Sequence, residues 1–318
     1  MMLTPIQWFP GHMHKARKAV KALLPEIDLI IEVLDARIPY SSVNPMLAQL
    51  YQGLPRIKIF NKADLADPAI TDIWQDHYQA DRQVTTLSVN ALDARLLAPL
   101  QTMIDTLDPQ PTHAVTKRRI LITGIPNVGK STLINTLCDR PIAKTGNEPA
   151  VTQMIQRIQL DADNTLFDTP GMLWPNIDNA YSGYRLAITG GIKETAYSLP
   201  DIATYACEYL LSAYPERLQT RYQLPTLPAH GPYPDLETLE MIGRKRGCLV
   251  SGGQVDLDKA ARLLIHECRD GALGRLSFET PTMMQQECQV VETLRAEKAA
   301  KKQARKEAKA QRKRRKKR

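Results

Sequence analysis

The chain has 318 residues, of which 43 % are hydrophobic, so it is long enough for two ordinary domains with buried cores. It has no run of the roughly 20 apolar residues that a membrane-spanning helix needs, and its amino terminus lacks the apolar stretch of a secretory signal. Membrane insertion and export are therefore not expected, and the five scattered cysteines, with no CxxC pair, favour reduced thiols in a cytoplasmic protein over a disulfide framework or a zinc site.

The net charge of +8 is unevenly distributed along the chain. Residues 295–318 contain 14 of the 42 basic residues but only 2 of the 34 acidic residues. This leaves 28 basic and 32 acidic residues in 1–294. The body of the protein is thus mildly acidic, whereas the carboxyl-terminal tail has a strong positive field. Such a tail is typical of a segment that is disordered when free and that becomes helical when it binds along RNA. It indicates either salt-dependent contact with RNA phosphates or a solvated, solubilising role.

Three short apolar runs in the first part of the chain, at 27–34, 57–60 and 84–87, predict buried β-strands. Segments of helical length separate them, at 44–52 and 68–79. Because strands that alternate with helices form parallel sheets, this pattern predicts an α/β fold.

After a polar, proline-containing connection, a further strand at 120–123 enters the sequence GIPNVGKST, in which Gly124, Gly129, Lys130 and Ser131 match the pattern GxxxxGK[ST]. In this pattern backbone N–H groups wrap the phosphates, the lysine contacts the β- and γ-phosphates, and the serine hydroxyl binds Mg²⁺. A chance match in a chain of this length has a frequency on the order of one in a hundred. The predicted nucleotide-binding residues of this phosphate loop are Asn127, Val128, Gly129, Lys130, Ser131 and Thr132.

A turn sequence, DADN at 161–164, separates two further strands at 153–160 and 165–167, which predicts a hairpin. The second of these strands ends in the sequence DTPG. A carboxylate at Asp168 can hold the Mg²⁺ shell through water. Gly171 has no Cβ, so it can offer its N–H to the γ-phosphate.

The polar segment KTGNEPAVTQ, at 144–153, lies between the phosphate loop and the hairpin. Its position is typical of a switch segment. Thr152 is the candidate for a hydroxyl that binds Mg²⁺ only when the γ-phosphate is present; the alternative is an ordinary loop threonine.

The sequence NKAD, at 61–64, follows the second predicted strand and is typical of a guanine-reading loop. Asp64 can accept hydrogen bonds from guanine N1–H and the 2-amino group. Adenine has neither donor, so a site of this kind can discriminate by about 10⁴-fold. Asn61 can brace this base loop, and the Lys62 stem can lie along the base. A second base loop follows the third strand and is placed to direct backbone N–H groups at guanine O6; its residues are Ser88, Val89 and Asn90.

Beyond residue 175 the pattern changes to apolar residues at helical spacing, in 202–211, 236–242 and 257–268. Prolines between 225 and 234 interrupt this pattern. The predicted organisation is a nucleotide-binding domain at 1–175, an all-helical RNA- or ribosome-binding domain at 176–290 and a basic, disordered tail at 291–318.

The motif order of base loop, second base loop, phosphate loop, switch segment and DTPG resembles that of the circularly permuted GTPases. Cutting the usual GTPase order after DxxG and joining the old ends produces it, and permutation is tolerated because domain termini lie at the surface. LDARIPYSS, at 34–42, is similar to the group's Asp-Ala-Arg-x-Pro signature. IQWFPGHMHKA, at 6–16, together with GIPNVGKST and DTPGMLWP, resembles the ribosome biogenesis GTPase A (YlqF) family over residues 1–290. The sequence departs from that family at His14, where an alanine is common, and in its longer basic tail.

The resemblance implies an α/β P-loop GTPase domain with permuted motif order and a mostly parallel six-stranded sheet, followed by a smaller all-helical domain. It implies GTP and GDP as ligands, and a role in late assembly of the large ribosomal subunit with that subunit and its rRNA as partners. We expect a monomer that does not associate with membranes.

The residues directly after DTPG, Met172 and Leu173, cannot position a water as the glutamine of Ras-type enzymes does. We therefore expect slow hydrolysis that the ribosomal subunit stimulates. The resemblance makes His12 the candidate catalytic residue, because a histidine can orient or polarise water; the alternative is a packed loop. No third ligand accompanies His12 and His14 as a metal pair. The resemblance also implies that Asn127 coordinates K⁺, which would offset charge that develops between the phosphates.

Three functional hypotheses compete. The first is a GTP-hydrolysing assembly factor, in which the segment after DTPG pulls on the helical domain when the γ-phosphate is lost. The second is a GTP-gated RNA-binding protein in which hydrolysis is incidental. The third, an ATP-dependent kinase or transporter component, is disfavoured by the base loop at 61–64.

Overall fold

The computed structural model describes residues 3–106, 117–143, 154–228 and 232–315. The chain divides into two compact units, of which the first ends at Thr280 and the second begins at Pro281. No helix among the described residues is both long and apolar enough to cross a membrane.

A six-stranded sheet forms the centre of the first unit. Its strands are β1 Leu29–Asp35, β2 Arg56–Asn61, β3 Val84–Ser88, β4 Arg118–Gly124, β5 Gln156–Gln159 and β6 Asn164–Asp168. They lie in the order β3-β2-β1-β4-β6-β5, and every neighbouring pair is parallel except β5 and β6, which form an antiparallel hairpin. The predicted mostly parallel six-stranded sheet and its hairpin are therefore confirmed.

Eleven α-helices accompany the sheet in the described part of the chain. Those of the sheet region are α1 Gly11–Leu23, α2 Pro45–Ala48, α3 Pro68–Gln79, α4 Ala98–Thr106 and α5 Lys130–Leu137. The later part of the first unit contains α6 Ala180–Ile188, α7 Leu199–Ala213, α8 Pro215–Tyr222, α9 Pro234–Lys245 and α10 Leu257–Asp270. The second unit contains α11 Pro281–Arg315.

Helices cover both faces of the sheet. Every residue of β1 is buried, and its alternate side chains enter two different hydrophobic clusters, because successive residues of a strand point to opposite faces. Leu29 lies in the large cluster that extends into the later helices. Ile30 lies in a smaller cluster with Ala16 and Val20 of α1. The two central strands β1 and β2 are thus mostly apolar, as expected for a parallel sheet that is buried on both sides. Their buried charges, Glu32 and Lys58, pair with each other.

The later helices share the large cluster with the sheet. Leu239 of α9 and Leu264 of α10 are both fully buried and belong to the same cluster as Leu29. Within the described residues of 176–280, β-structure is limited to one bridge between Leu249 and Val255. The region is helical, as the apolar spacing predicts. The domain boundary at residue 175 stays a prediction, because one hydrophobic cluster contains residues from both sides of it.

The described part of the basic tail is helical, and its disorder in the free protein stays a prediction. The structure places residues 281–315 in one continuous helix, α11, while residues 316–318 lie outside the described part. The physical reason is composition: Ala, Lys, Arg, Glu and Gln are strong helix formers, and they dominate this stretch. A helix needs no apolar face to satisfy its own backbone hydrogen bonds.

Candidate functional site

The predicted motifs meet at one edge of the sheet. β2, β1, β4 and β6 are parallel neighbours, so their carboxyl ends lie at the same edge. The base loop follows β2, the phosphate loop follows β4, and the DTPG sequence begins at the end of β6. In open α/β sheets, ligands bind in the crevice outside the carboxyl ends of the strands.

Two side chains of the base loop bind the backbone of the phosphate loop. Asn61 Nδ2 donates to Val128 O at 2.6 Å, and Lys62 Nζ donates to Asn127 O at 2.7 Å. Asn61 Oδ1 also accepts from Ala91 N at 2.9 Å, so this carboxamide joins the base loop to the loops that follow β3 and β4. The two segments that we expect to bind the base and the phosphates therefore form one continuous surface.

Gly129 is required where the phosphate loop meets Asn61. Its φ is +89°, in the left-handed region, and a Cβ at this position would lie 2.2 Å from Asn61 Nδ2. Gly129 is also the residue before α5, whose first turn contains Lys130, Ser131 and Thr132. The unpaired N–H groups of a helix amino terminus favour anions, so this position suits a phosphate.

In this structure Lys130 is paired with Asp168. The Lys130 Nζ contacts Asp168 Oδ1, and both side chains are buried. Burial raises the pKa of Asp168, and the Lys130 charge offsets only part of that effect. The second carboxylate oxygen, Oδ2, is buried and has no hydrogen-bond partner among the described residues. The lysine and the carboxylate that we expect to serve the phosphates and the metal thus lie side by side.

The oxygen atoms at this position suit Mg²⁺. The unsatisfied Asp168 Oδ2 and the hydroxyl of Ser131, in the first turn of α5, are of the donor type that this ion prefers. Thr152, the third predicted ligand, lies outside the described residues. Across the described part of the chain, no group of three His, Cys, Asp or Glu side chains could hold a metal ion. A magnesium site here would therefore depend on hydroxyl and phosphate oxygens beside one carboxylate.

The DTPG sequence lies against the phosphate loop. A Cβ on Gly171 would lie 2.9 Å from Pro126 Cα, and Met172 N donates to Gly124 O at 3.1 Å. Met172 and Leu173 are both fully buried. Apolar buried side chains at these positions offer no group that orients water.

The second base loop is bonded to the first. Val89 N donates to Phe60 O at 2.9 Å, and Ala63 N donates to Val89 O at 3.1 Å. In this conformation the Val89 N–H, which we predict to contact guanine O6, is therefore already bonded to the Phe60 carbonyl group. Ser88 is the last residue of β3, and the Asn90 side chain accepts from Leu92 N at 3.0 Å.

Asp64 is exposed at the tip of the base loop. Two turn hydrogen bonds shape this tip, from Leu65 N to Lys62 O at 2.9 Å and from Ala66 N to Ala63 O at 3.3 Å. The Asp64 carboxylate is thus accessible to a ligand that lies along Lys62.

His12 and Asn127 each have a defined environment. His12 lies in the first turn of α1, and its Nε2 is buried with no hydrogen-bond partner among the described residues. The segment before α1 lies near the chain that follows DTPG, because Ile177 N donates to Gln7 Oε1 at 3.3 Å. Asn127 has a φ of +61°, and its Nδ2 donates to Gly190 O at 2.8 Å, just beyond α6.

Two polar residues escaped the sequence analysis. Asn44 Nδ2 donates to Met172 O at 2.9 Å, while its Oδ1 caps α2 by accepting from Met46 N at 3.1 Å. Glu279 is fully buried, accepts from Ser41 N at 2.9 Å and pairs with Arg185 at 3.4 Å. An asparagine directly before a proline that starts a helix is typical of a helix cap, so the sequence could have indicated Asn44. No local pattern indicates a buried partner for Glu279.

The fold and this site define a GTPase: a parallel sheet with a phosphate loop, a guanine-type base loop and a DxxG sequence at one edge, in permuted order along the chain. The family model described as 50S ribosome-binding GTPase matches residues 119–197.

Curated relatives identify the particular family. The chain is 44 % identical to ribosome biogenesis GTPase A of Bacillus pumilus, over 87 % of this chain and 99 % of the relative. It is 43 % identical to that of Bacillus licheniformis, over 88 % and 99 %. The chain belongs to the ribosome biogenesis GTPase A family, and it is a GTPase that acts in ribosome biogenesis.

Solved structures agree with this assignment. The GNP-bound YlqF structure from T. maritima is 26 % identical, with a TM-score of 0.56 over 84 % of this chain and 98 % of that chain. A GDP-bound YlqF structure is also 26 % identical, with a TM-score of 0.57 over 83 % and 99 %. The predicted family and fold are thus confirmed.

Proposed function

We propose that this GTPase acts in late assembly of the large ribosomal subunit, as a cytoplasmic monomer that couples its GTP state to binding of the subunit and its rRNA. One observation above all supports guanine nucleotide binding. Hydrogen bonds from Asn61 to Val128 and from Lys62 to Asn127 join the base loop to the phosphate loop. The family description, 50S ribosome-binding GTPase, supports the large subunit as the partner.

Guanine is read by the exposed carboxylate of Asp64, which accepts from N1–H and the 2-amino group. The Lys62 stem lies along the base, and its ammonium is anchored on Asn127 O. The backbone of Ser88, Val89 and Asn90 contacts guanine on the side of O6. The Val89 N–H can bond to O6 only after its hydrogen bond to Phe60 O breaks. Adenine cannot satisfy Asp64, so ATP is a poor ligand.

The phosphates bind at the amino terminus of α5. Lys130 exchanges its contact with Asp168 for the β- and γ-phosphates, and Gly171 offers its N–H to the γ-phosphate. The backbone that wraps the phosphates belongs to residues 127–132. The oxygen donors that would hold Mg²⁺ are Ser131, Thr152 and Asp168, and the bound ion would neutralise phosphate charge. Asn127 would hold K⁺ in the same region.

Hydrolysis depends on a group outside the DTPG sequence, because Met172 and Leu173 are buried and apolar. His12 is the residue that we propose for orienting the attacking water, and its unpartnered Nε2 supports a role for that atom. The intrinsic rate is slow, and binding of the subunit completes the site.

Co-sedimentation with large ribosomal subunits tests the proposal. The protein should sediment with subunits in the presence of a non-hydrolysable GTP analogue and remain in solution with GDP. Equal sedimentation in the two states would contradict coupling between nucleotide and subunit.

The second candidate is a GTP-gated RNA-binding protein whose hydrolysis is incidental. The buried apolar residues at 172 and 173 favour it, since they offer nothing to catalysis. Multiple-turnover rates with and without subunits separate the two functions. Stimulation supports the assembly factor, whereas an unchanged rate supports the gated binder.

A further inference from the structure

Asp35 is a buried carboxylate at the end of β1 for which the proposed function has no task. It is 2 % exposed. It accepts from Arg37 Nε at 2.9 Å, from Arg37 Nη2 at 2.8 Å and from Lys62 Nζ at 3.1 Å. Burial alone raises the pKa of Asp35, but the Arg37 and Lys62 charges outweigh it and hold the pKa well below its usual value. Asp35 is therefore ionised at neutral pH and joins the base loop to Arg37.

Arg37 continues this connection to the end of α10. Its Nη1 donates to Cys268 O at 3.3 Å and to Arg269 O at 3.2 Å. The last carbonyl groups of a helix lack partners within the helix and carry partial negative charge, so a guanidinium satisfies them well. The backbone of Arg37 also accepts from Phe278 N at 2.8 Å. A single arginine thus holds both the last turn of α10 and the segment that follows it.

Lys62 is fixed from two sides. Its ammonium lies between the Asp35 carboxylate and Asn127 O, at 3.1 and 2.7 Å. Its φ of +60° is uncommon for a residue with a side chain, so the surroundings determine the conformation. The Asp35 carboxylate is therefore one of the two groups that fix the position of the Lys62 stem.

We propose that Asp35 and Arg37 are positioning residues for guanine nucleotide binding, in which Arg37 fixes Asp35, Asp35 sets the Lys62 stem against the base, and the same arginine ties base occupancy to the last turn of α10. The inference rests on the proposed function, because it takes Lys62 to lie along guanine. Coupling of this kind is reciprocal: if the end of α10 steadies the base loop, the nucleotide steadies the end of α10 by the same free energy.

Hydrogen exchange on the unaltered protein tests the link without any substitution. GDP should slow exchange of the backbone amides of 268–272 more than that of the amides of α9, which packs against α7 and α10. A general stabilisation by ligand would slow both regions equally. Equal slowing, or no slowing at 268–272, overturns the proposal.

Arg37→Lys tests the positioning role directly. Lysine keeps the positive charge but cannot make the two-pronged contact with Asp35 and reach the α10 carbonyls at once. GDP should bind at least about 10-fold more weakly, and the GDP-dependent protection of 268–272 should disappear. Binding of inorganic pyrophosphate, which has no base, should change by less than about twofold because the phosphate loop is intact.

Arg221→Lys is the matched control. Arg221 of α8 makes a similar bidentate contact with Glu267 of α10, at 3.0 and 2.7 Å. Outside its own helix, the hydrogen bonds of Arg221 among the described residues involve Glu267 and Arg246, and not the base loop. The GDP affinity of Arg221→Lys should stay within about twofold of that of the unaltered protein. The proposal fails if Arg37→Lys binds GDP normally, or if it loses GDP and pyrophosphate in parallel. If Arg37→Lys does not fold, the exchange measurement on the unaltered protein decides.

The variant Asp64→Asn separates this proposal from the function on which it rests. If Asp64→Asn keeps its preference for GTP over xanthosine triphosphate, the base assignment is wrong whatever Arg37→Lys does. If Asp64→Asn changes its preference while Arg37→Lys behaves like the unaltered protein, only the positioning role is wrong.

Discussion

Asn61 illustrates how single atoms decide the geometry of this site. Its carboxamide is 3 % exposed and uses both ends, with Nδ2 bonded to Val128 O and Oδ1 bonded to Ala91 N. Aspartate would keep the acceptor but lose the donor, and it would place a charge beside a carbonyl group. The side chain fits only because Gly129 has no Cβ. The residue that braces the base loop and the glycine of the phosphate loop are therefore one steric unit.

Gly129→Ala should destabilise the protein more than a substitution with the same backbone strain. Gly53 has a φ of +91°, close to the +89° of Gly129, but a Cβ there meets nothing within 4 Å. Gly53→Ala should cost about 1–2 kcal/mol for its conformation. Gly129→Ala should cost about 1–3 kcal/mol more, because the Asn61 hydrogen bond is lost as well. Urea unfolding without nucleotide gives both values, and equal losses would show that the Asn61 contact contributes nothing.

Asp64→Asn should exchange the preferred base. An amide donor suits the 2-oxo group of xanthine, whereas guanine presents its amino group at that position. The preference for GTP should fall by a factor on the order of 10² or more, given the discrimination available to a site of this kind. Competition of GTP and xanthosine triphosphate against a labelled GDP measures it. The stability in urea should remain close to that of the unaltered protein, because Asp64 is exposed.

At the scale of elements, short helices connect the loops of the site. α2 has only four residues, yet the cap at its start reaches the chain after DTPG, because Asn44 Nδ2 donates to Met172 O. α5 begins at Lys130, so its first turn and the phosphate loop form one feature. A change in the DTPG sequence therefore reaches α2 through one side chain.

Asn44→Ala should cost more than the loss of an ordinary helix cap. Asp256 caps α10 by accepting from Lys259 N at 3.0 Å, so Asp256→Ala should cost about 1 kcal/mol. Asn44→Ala removes a cap and also leaves the buried Met172 O without its donor, for a total of about 2–4 kcal/mol. Chemical unfolding of the two variants measures the difference. Losses of the same size would mean that the bond to Met172 is not important for stability.

Across the whole molecule, positive charge is concentrated at one end of the sequence. The tail from 295 contains 14 of the 42 basic residues, whereas residues 1–294 are mildly acidic. In the described part of the tail the charges lie on α11. From this distribution we predict that the nucleotide site and the tail have different roles. The site binds the nucleotide, and the tail binds RNA phosphates with an affinity that depends on salt but not on the RNA sequence.

Removal of residues 295–318 should flatten the salt dependence of subunit binding. Each neutralised phosphate contributes roughly −0.7 to −0.9 to the slope of log K against log salt, so the slope should become shallower by several units. A full-length variant with glutamine at every Lys and Arg of the tail is the matched control and should behave like the truncated protein. Unchanged slopes in both would leave the tail with a solubilising role.

Local chemistry made much of this protein predictable from its residues. The strands, the hairpin and the helical later region follow from apolar spacing, and the phosphate and base loops follow from residue types that suit their ligands. These features depend on neighbours along the chain, so a sequence contains them. The tail is less predictable, because its low hydrophobicity favours disorder in the free chain whereas its helix propensity favours the helix that the structure has over 281–315.

The elements, the motifs and the family follow from the order of residues along the chain. The contacts between distant side chains appear only in the folded protein: Asn61 bonds Val128 across 67 positions, and Arg37 bonds Cys268 across 231. The physical reason is that a hydrogen bond between distant segments depends on where the whole sheet and its helices bring two backbones together. No local pattern of residues records that position.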